Sequence, residues 1–144
     1  MPDETAYIDT SVIGAYYCPE LLSSAAETAL RAVRSPVISP LVEVEFCSLV
    51  AKKRRLRELT ERQARSILDL FGNHVAEGFY HRIEVTTDHF LAARRLVGSM
   101  QSPLHTLDGL HLAAALSGKL PLVTADQQLA KAARRHKNPV ILVR

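Results

Sequence analysis

Short apolar runs alternate with helical patterns along the whole chain: Ala6-Tyr7-Ile8, Val37-Ile38, Ile83-Glu84-Val85, Leu122-Val123-Thr124 and Val140 to Val143. One or two helix-like segments fill each interval. That order constrains the fold more than any other feature, because strands separated by helices pair as a parallel sheet, with right-handed crossovers placing helices on both faces. The expected class is α/β, a three-layer α/β/α domain with a short-stranded, mostly parallel central sheet. A length of 144 residues fits a single domain over 1–144, and no linker-like stretch, internal repeat or low-complexity segment divides it.

Local signals place the helices. Thr10 and Ser11 offer hydroxyls to start a helix through Val12 to Tyr17, ended by Pro19, and a second runs from about Ser24 to Val33. Ser39-Pro40 joins an N-cap to the proline favoured in a first turn, and the helix continues through Val50 into Lys52-Lys53-Arg54-Arg55, cations that suit a helix C-terminus. Thr60 with Gln63 forms a capping-box pattern ahead of Ala64, Ile67, Leu68 and Phe71 at helical spacing. Thr87 is expected to cap a helix carrying Phe90, Ala93 and Val97. Thr106 starts another through Leu116, and Asp126 opens the last, to about Arg135.

In open parallel sheets, ligands sit beyond the carboxyl ends of the strands. Four acids fall where an apolar run gives way to a helix or just inside one: Asp9 in YIDTSV, Glu45 in SPLVEVEF, Asp108 in TLDGLHLAAAL and Asp126 in LVTADQQL. Singly, most have an ordinary explanation. Asp9 and Asp126 suit helix caps, and Asp108 suits a first turn, where a carboxylate gains about 0.3 to 1 kcal/mol from the helix dipole. Glu45 has Leu41, Val42 and Leu49 at i−4, i−3 and i+4, so at least half of it is expected to be buried. Glu43, about 160° around the helix, has Phe46, Cys47 and Val50 on its own side, and periodicity does not choose between the two.

Taken together, the acids say more. Two carboxylates about 4 Å apart repel by on the order of 4 kcal/mol at an effective dielectric of roughly 20, enough to raise pKa values or recruit a cation. Hard oxygen donors without clustered histidine or cysteine select Mg2+, with Mn2+ as a substitute, over zinc. Such an ion holds a phosphodiester oxygen, acidifies a bound water and stabilises the leaving oxygen, so phosphodiester hydrolysis fits best.

Charge supports a polyanionic partner. The net charge is +3 and the pI near 9.1, and with several of the 15 acidic residues assigned to one pocket the remaining surface is more basic than the total. An apolar fraction of 47% with 23% charged residues excludes a disordered chain. Cys18 and Cys47 lack metal-ligand or disulfide spacing, no leader-like segment opens the chain, and no apolar run approaches a membrane span. The expectation is a reduced, cytoplasmic protein without membrane attachment.

The windows YIDTSV at 7–12, Glu45 within SPLVEVEFCSLVAKK, TLDGLHLAAAL at 106–116 and LVTADQQLAKAA at 122–133 span nearly the whole chain. In kind and order they resemble the PIN-domain family, and within it the VapC-type ribonuclease toxins of type II toxin–antitoxin pairs. The resemblance implies a PIN-like fold with Asp9, Glu45, Asp108 and Asp126 as the metal-binding and catalytic quartet. It selects Glu45 over Glu43 by position in the motif, makes Asp9 and Asp108 the leading direct ligands, and assigns Thr10, Ser11 and Thr124 as supporting hydroxyls. The implied activity is Mg2+- or Mn2+-dependent endoribonucleolytic cleavage of single-stranded RNA or an RNA loop by metal-activated water, leaving a 5′-phosphate and a 3′-hydroxyl.

The implied partners are the RNA substrate, a second copy in a homodimer, and a cognate antitoxin whose tail covers the groove, in a heterotetramer or larger assembly. The face bearing Ile67, Leu68 and Phe71 suits either that interface or the core. Two other classes compete. One is a non-catalytic PIN-like module that binds RNA or protein, its acids only capping helices. The other is a phosphoacceptor receiver domain, which needs an aspartate ending a central strand and a lysine ending a later one; Ile83 to Thr86 and Val140 to Val143 supply neither. His111, three residues after Asp108 on the same helical side, could touch substrate or orient that aspartate, but among Leu110, Leu112 and Ala113 it reads rather as a packed or hydrogen-bonded structural histidine. Lys52 to Arg57 begins about 10 Å along the helix from Glu45, close enough to receive RNA phosphates, yet it reads, like Arg134 to Lys137, as a solvated helix end.

Overall fold

The computed structural model describes residues 5–144. Its elements are β1 (Thr5–Ile8), α1 (Thr10–Tyr17), α2 (Ser23–Arg31), β2 (Ser35–Ile38), α3 (Pro40–Arg55) and α4 (Glu61–Ala76). They continue as β3 (His81–Arg82), α5 (Thr87–Gly98), α6 (Thr106–Ser117), β4 (Leu122–Thr124), α7 (Gln127–Arg135) and β5 (Val140–Leu142). The strands lie in the order β3-β2-β1-β4-β5, and every ladder is parallel. The α/β alternation in the sequence therefore gives the expected layered fold.

The helices pack in two sets, α1 on α2 and α3 with α3 on α4, and α5 on α6 with α6 on α7. Chain direction explains the division. From β1 the chain steps outward through β2 to β3, then returns past β1 to β4 and β5, and right-handed crossovers put the helices of the two directions on opposite faces. The step reverses between β1 and β4, so a crevice opens beyond their carboxyl ends.

Burial on both faces makes the central strands apolar throughout. Ala6, Tyr7, Ile8, Ile38, Leu122 and Val123 are fully buried, and the core continues into an aromatic cluster of Tyr17, Phe46, Phe71 and Tyr80. Phe71 lies in that core with Ile67 and Leu68 packed half-buried against it, so their apolar stripe is core packing. α6 is buried from Gly109 to Ala115, and the absence of a side chain at Gly109 matters there. A Cβ would come within 2.7 Å of Val97 Cγ2, so glycine lets α5 lie close against α6.

Several boundaries differ from the sequence expectation. The edge strand is His81–Arg82, paired with Val37 and Ile38, rather than Ile83 to Val85. Backbone pairing and apolarity separate here: the exposed His81 and Arg82 make the ladder, while Ile83 and Val85 turn half-buried into the core. The α5 cap is Thr86, whose amide donates to His89 Nδ1 at 2.9 Å, one residue ahead of the expected Thr87. Ser39 occupies the N-cap of α3, but its hydroxyl makes no cap bond and meets the Tyr7 hydroxyl at 2.8 Å instead. The Thr60–Gln63 capping box of α4 is present.

Candidate active site

At the reversal point, β1 ends with Ile8 beside Val123, and the Asp9 amide donates to the Val123 carbonyl at 3.1 Å. Asp9 is buried, and its carboxylate caps α1 by accepting from the Ser11 amide. This is the helix-start role that the sequence allowed, with the cap supplied by Asp9 and not by Thr10 or Ser11. Those hydroxyls are used elsewhere.

Thr124 ends β4, fully buried, and donates its hydroxyl to Asp9 Oδ2 while accepting from the Asp126 amide at 3.0 Å. Ser11 Oγ accepts from the Ala125 amide at 2.9 Å and lies 3.4 Å from Thr124 Oγ1. The β1–α1 and β4–α7 turns are thereby stapled together. Asp126 caps α7 through Oδ1, which accepts from the Gln128 and Leu129 amides at 2.8 and 3.1 Å.

Glu45 approaches from α3. Thr10, at the start of α1, donates to Glu45 Oε1 at 2.7 Å, and His111 Nε2 of α6 bonds to the same oxygen. The Glu45 side chain is 23% exposed, in line with the half-buried expectation. Glu43 turns away to Arg82 on β3, with Oε2 2.8 to 2.9 Å from two guanidinium nitrogens. Periodicity left these two glutamates level; the site contains Glu45.

Asp108 lies in the first turn of α6 and accepts from the His105 amide at 3.2 Å. All four acids, with Thr10 and Ser11, line one open pocket of about 430 Å³, where His111, Ser48 and Lys52 also contribute. Two of these were undervalued in the sequence. His111 is buried, as a structural histidine would be, yet it touches the acidic site; its place three residues after Asp108 was the available signal. Lys52 lies two helical turns beyond Glu45 and stays exposed at the rim.

The electrostatics differ across the pocket. Burial pushes the Asp9 carboxyl above the usual carboxylate range, more than the nearby His111 and the Thr124 and Ser11 hydrogen bonds pull it down. At Glu45 burial acts in the same upward direction but is outweighed by the hydrogen bond and charge of His111 and the Thr10 hydroxyl, which hold the carboxyl low. A buried carboxyl whose ionisation is disfavoured, in a pocket lined by three further carboxyls, is an environment a cation would relieve.

The donor set fits a hard divalent cation in chemistry, since it consists of carboxylate and hydroxyl oxygens. Among the described residues, no three Asp, Glu, His or Cys side chains form a ready-made cation cage. Cap bonds explain this in part, because one oxygen each of Asp108 and Asp126 is turned to the amides of its own helix start, as one oxygen of Glu45 is turned to Thr10 and His111. The other oxygen of each makes no hydrogen bond to a described residue, so three carboxylate oxygens of pocket-lining residues keep their acceptor capacity for a ligand.

A PIN domain family model matches residues 6–135. No curated protein sequence matches the chain. Among solved structures, the chain is similar to VapBC2 of Rickettsia felis bound to a promoter DNA fragment, at 17% identity and TM-score 0.68 over 96% of this chain and 98% of that one. It is similar to Mycobacterium tuberculosis VapC20, a sarcin-ricin loop cleaving toxin, at 16% identity and TM-score 0.68 over 88% and 94%. FitAcB of Neisseria gonorrhoeae matches at 20% identity and TM-score 0.62 over 94% and 96%.

Proposed function

The chain belongs to the PIN-domain family, and from that premise we propose that it is a divalent-metal-dependent endoribonuclease acting as the toxin of a toxin–antitoxin pair. The observation that carries the reading is the gathering of Asp9, Glu45, Asp108 and Asp126 in one pocket at the reversal point of a parallel sheet. Capping alone would not require Glu45 there, because it caps nothing; it lies in the second turn of α3.

Asp9, Glu45, Asp108 and Asp126 would hold Mg2+, or Mn2+ in its place. When bound, the ion would acidify a water and neutralise charge on a phosphodiester. The chain's own residues perform the rest. Thr124 and Ser11 fix the Asp9 carboxylate, Thr10 and His111 fix Glu45, and Lys52 gives the rim a cation for a neighbouring phosphate. Single-stranded or looped RNA suits an open pocket, because its unstacked bases and flexible backbone can bend to bring one phosphodiester to the acids. Similarity to toxins solved with their antitoxins supports a cognate antitoxin as partner, and a homodimer and a cytoplasmic site of action accompany that role.

The test is induced expression of the wild-type chain and of Asp9→Asn, with RNA 5′ ends mapped by sequencing. New 5′-phosphate ends and growth arrest confined to the wild type support the nuclease. Identical maps and identical growth favour the non-catalytic binding module.

A further inference from the structure

Behind Glu45 lies a buried chain of side chains that metal binding and capping leave unexplained. Ser39, at the start of α3, meets the Tyr7 hydroxyl at 2.8 Å; that hydroxyl lies 2.8 Å from His111 Nδ1; and His111 Nε2 bonds to Glu45 Oε1. Ser39 and Tyr7 are fully buried and His111 nearly so. Three elements contribute, β1, α6 and α3, so the chain links the helix that carries Asp108 to the helix that carries Glu45.

A carboxylate only accepts hydrogen bonds, so His111 Nε2 must carry a proton toward Glu45. Nδ1 then accepts from Tyr7 in the neutral ring or donates to it in the imidazolium, and the Tyr7 and Ser39 hydroxyls rotate to suit either. The network is thus satisfied in both protonation states, and its hold on the ring does not depend on which is present. Thr10 addresses the same Oε1 from the opposite element, α1. Both donors converge on one oxygen, and Oε2 makes no hydrogen bond to a described residue.

We propose that His111 is a positioning residue: held from behind by Tyr7 and Ser39, it fixes Glu45 through Oε1 so that Oε2 is the oxygen presented to a divalent cation. The inference rests on the metal-site reading given above. Glutamate has rotamer freedom to lose on binding an ion, and a carboxylate already clamped at one oxygen has lost most of it. Partners behind a ligand typically change metal affinity by about 10- to 100-fold when removed.

Mn2+ titration of the purified protein, followed by paramagnetic resonance of the free ion, tests this alongside metal-free melting in chelator. His111→Leu is expected to weaken Mn2+ binding by about 10- to 100-fold. His111→Gln, whose amide nitrogen reaches forward as Nε2 does, recovers most of that loss. Tyr7→Phe keeps the ring in the core, removes only the anchoring hydroxyl, and weakens binding by about tenfold, the lower end of the same range. Wild-type affinity in a folded His111→Leu, or equal losses in the Leu and Gln variants, overturns the proposal. Should His111→Leu not fold, unchanged affinity in Tyr7→Phe overturns it. A wild-type protein that binds no Mn2+ overturns the metal-site reading itself, and this inference with it.

Discussion

The Thr124 hydroxyl donates to Asp9 Oδ2 and so ties together the ends of β4 and β1, the neighbouring parallel strands between which the winding of the sheet reverses. Both residues are buried, so the bond is protected from water. Thr124→Val keeps the shape and removes the donor, leaving one Asp9 oxygen without it. The expected cost is about 1 to 3 kcal/mol in metal-free stability and a clear loss of RNA cleavage, with Thr124→Ser close to wild type. Chemical denaturation and cleavage assays on the two variants check this, and equal behaviour of Val and Ser would remove the hydroxyl from the account.

Asp9 and Glu45 should give opposite pH dependences in the metal-free protein. Burial raises the Asp9 pKa above its unfolded value, so its contribution to stability is full below the unfolded pKa, about 3.9, and is lost as pH rises through the folded one. Burial also opposes ionisation of Glu45, but His111 and Thr10 prevail and lower its folded pKa; its contribution is present above the unfolded value and lost as pH falls through the folded one. Asp9→Asn is therefore expected to melt higher than wild type in chelator at neutral pH, with the gap closing in acid. Added Mn2+ should stabilise the wild type and not the variant. Melting curves across pH decide it, and a variant less stable than wild type in chelator at neutral pH contradicts it.

Much of this was legible in the chain. The α/β order, the Thr60–Gln63 capping box and the three aspartates at helix starts follow from local chemistry, because strand ends, caps and turns are set by neighbouring residues. The choice between Glu43 and Glu45 was not local. It depends on Arg82 of β3 taking one glutamate, and on Thr10 and His111 taking the other, contacts that exist only after the sheet has formed. His81–Arg82 was missed as the edge strand for a related reason, since a strand at a sheet edge needs pairing and not burial. The role of Tyr7 was hidden because a tyrosine in an apolar run looks like core, and it is core; only its hydroxyl reaches the site network.

The two glutamates give a sharp contrast for mutagenesis. Glu43 forms a partly exposed pair with Arg82, a type worth about 0 to 1 kcal/mol, so Glu43→Gln should leave RNA cleavage unchanged and stability nearly so. Glu45→Gln, two residues later, should lose cleavage by at least about tenfold while remaining folded, as expected for weakened metal binding. Parallel assays of cleavage and melting check both. Loss of cleavage in Glu43→Gln would put the wrong side of α3 in the site.

Lys52 is expected to act on substrate binding and not on chemistry. It is exposed at the pocket rim, two turns beyond Glu45, where it can meet a phosphate next to the one being cut. Lys52→Ala should raise KM with kcat little changed, and should reduce the dependence of log affinity on log salt by about 0.7, the increment of one single-strand phosphate contact. Steady-state kinetics over a salt series measures both. A kcat loss at unchanged KM would instead place Lys52 against the reacting phosphate.

The most direct test of the central claim uses purified protein, total RNA and defined metal. With Mg2+ or Mn2+ present, the wild type should cut RNA at discrete positions and leave 5′-phosphate ends, while chelator and Asp9→Asn abolish the cuts and Glu45→Gln weakens them by at least about tenfold. RNA left intact by the wild type with either metal, or cut equally well by Asp9→Asn, would contradict it.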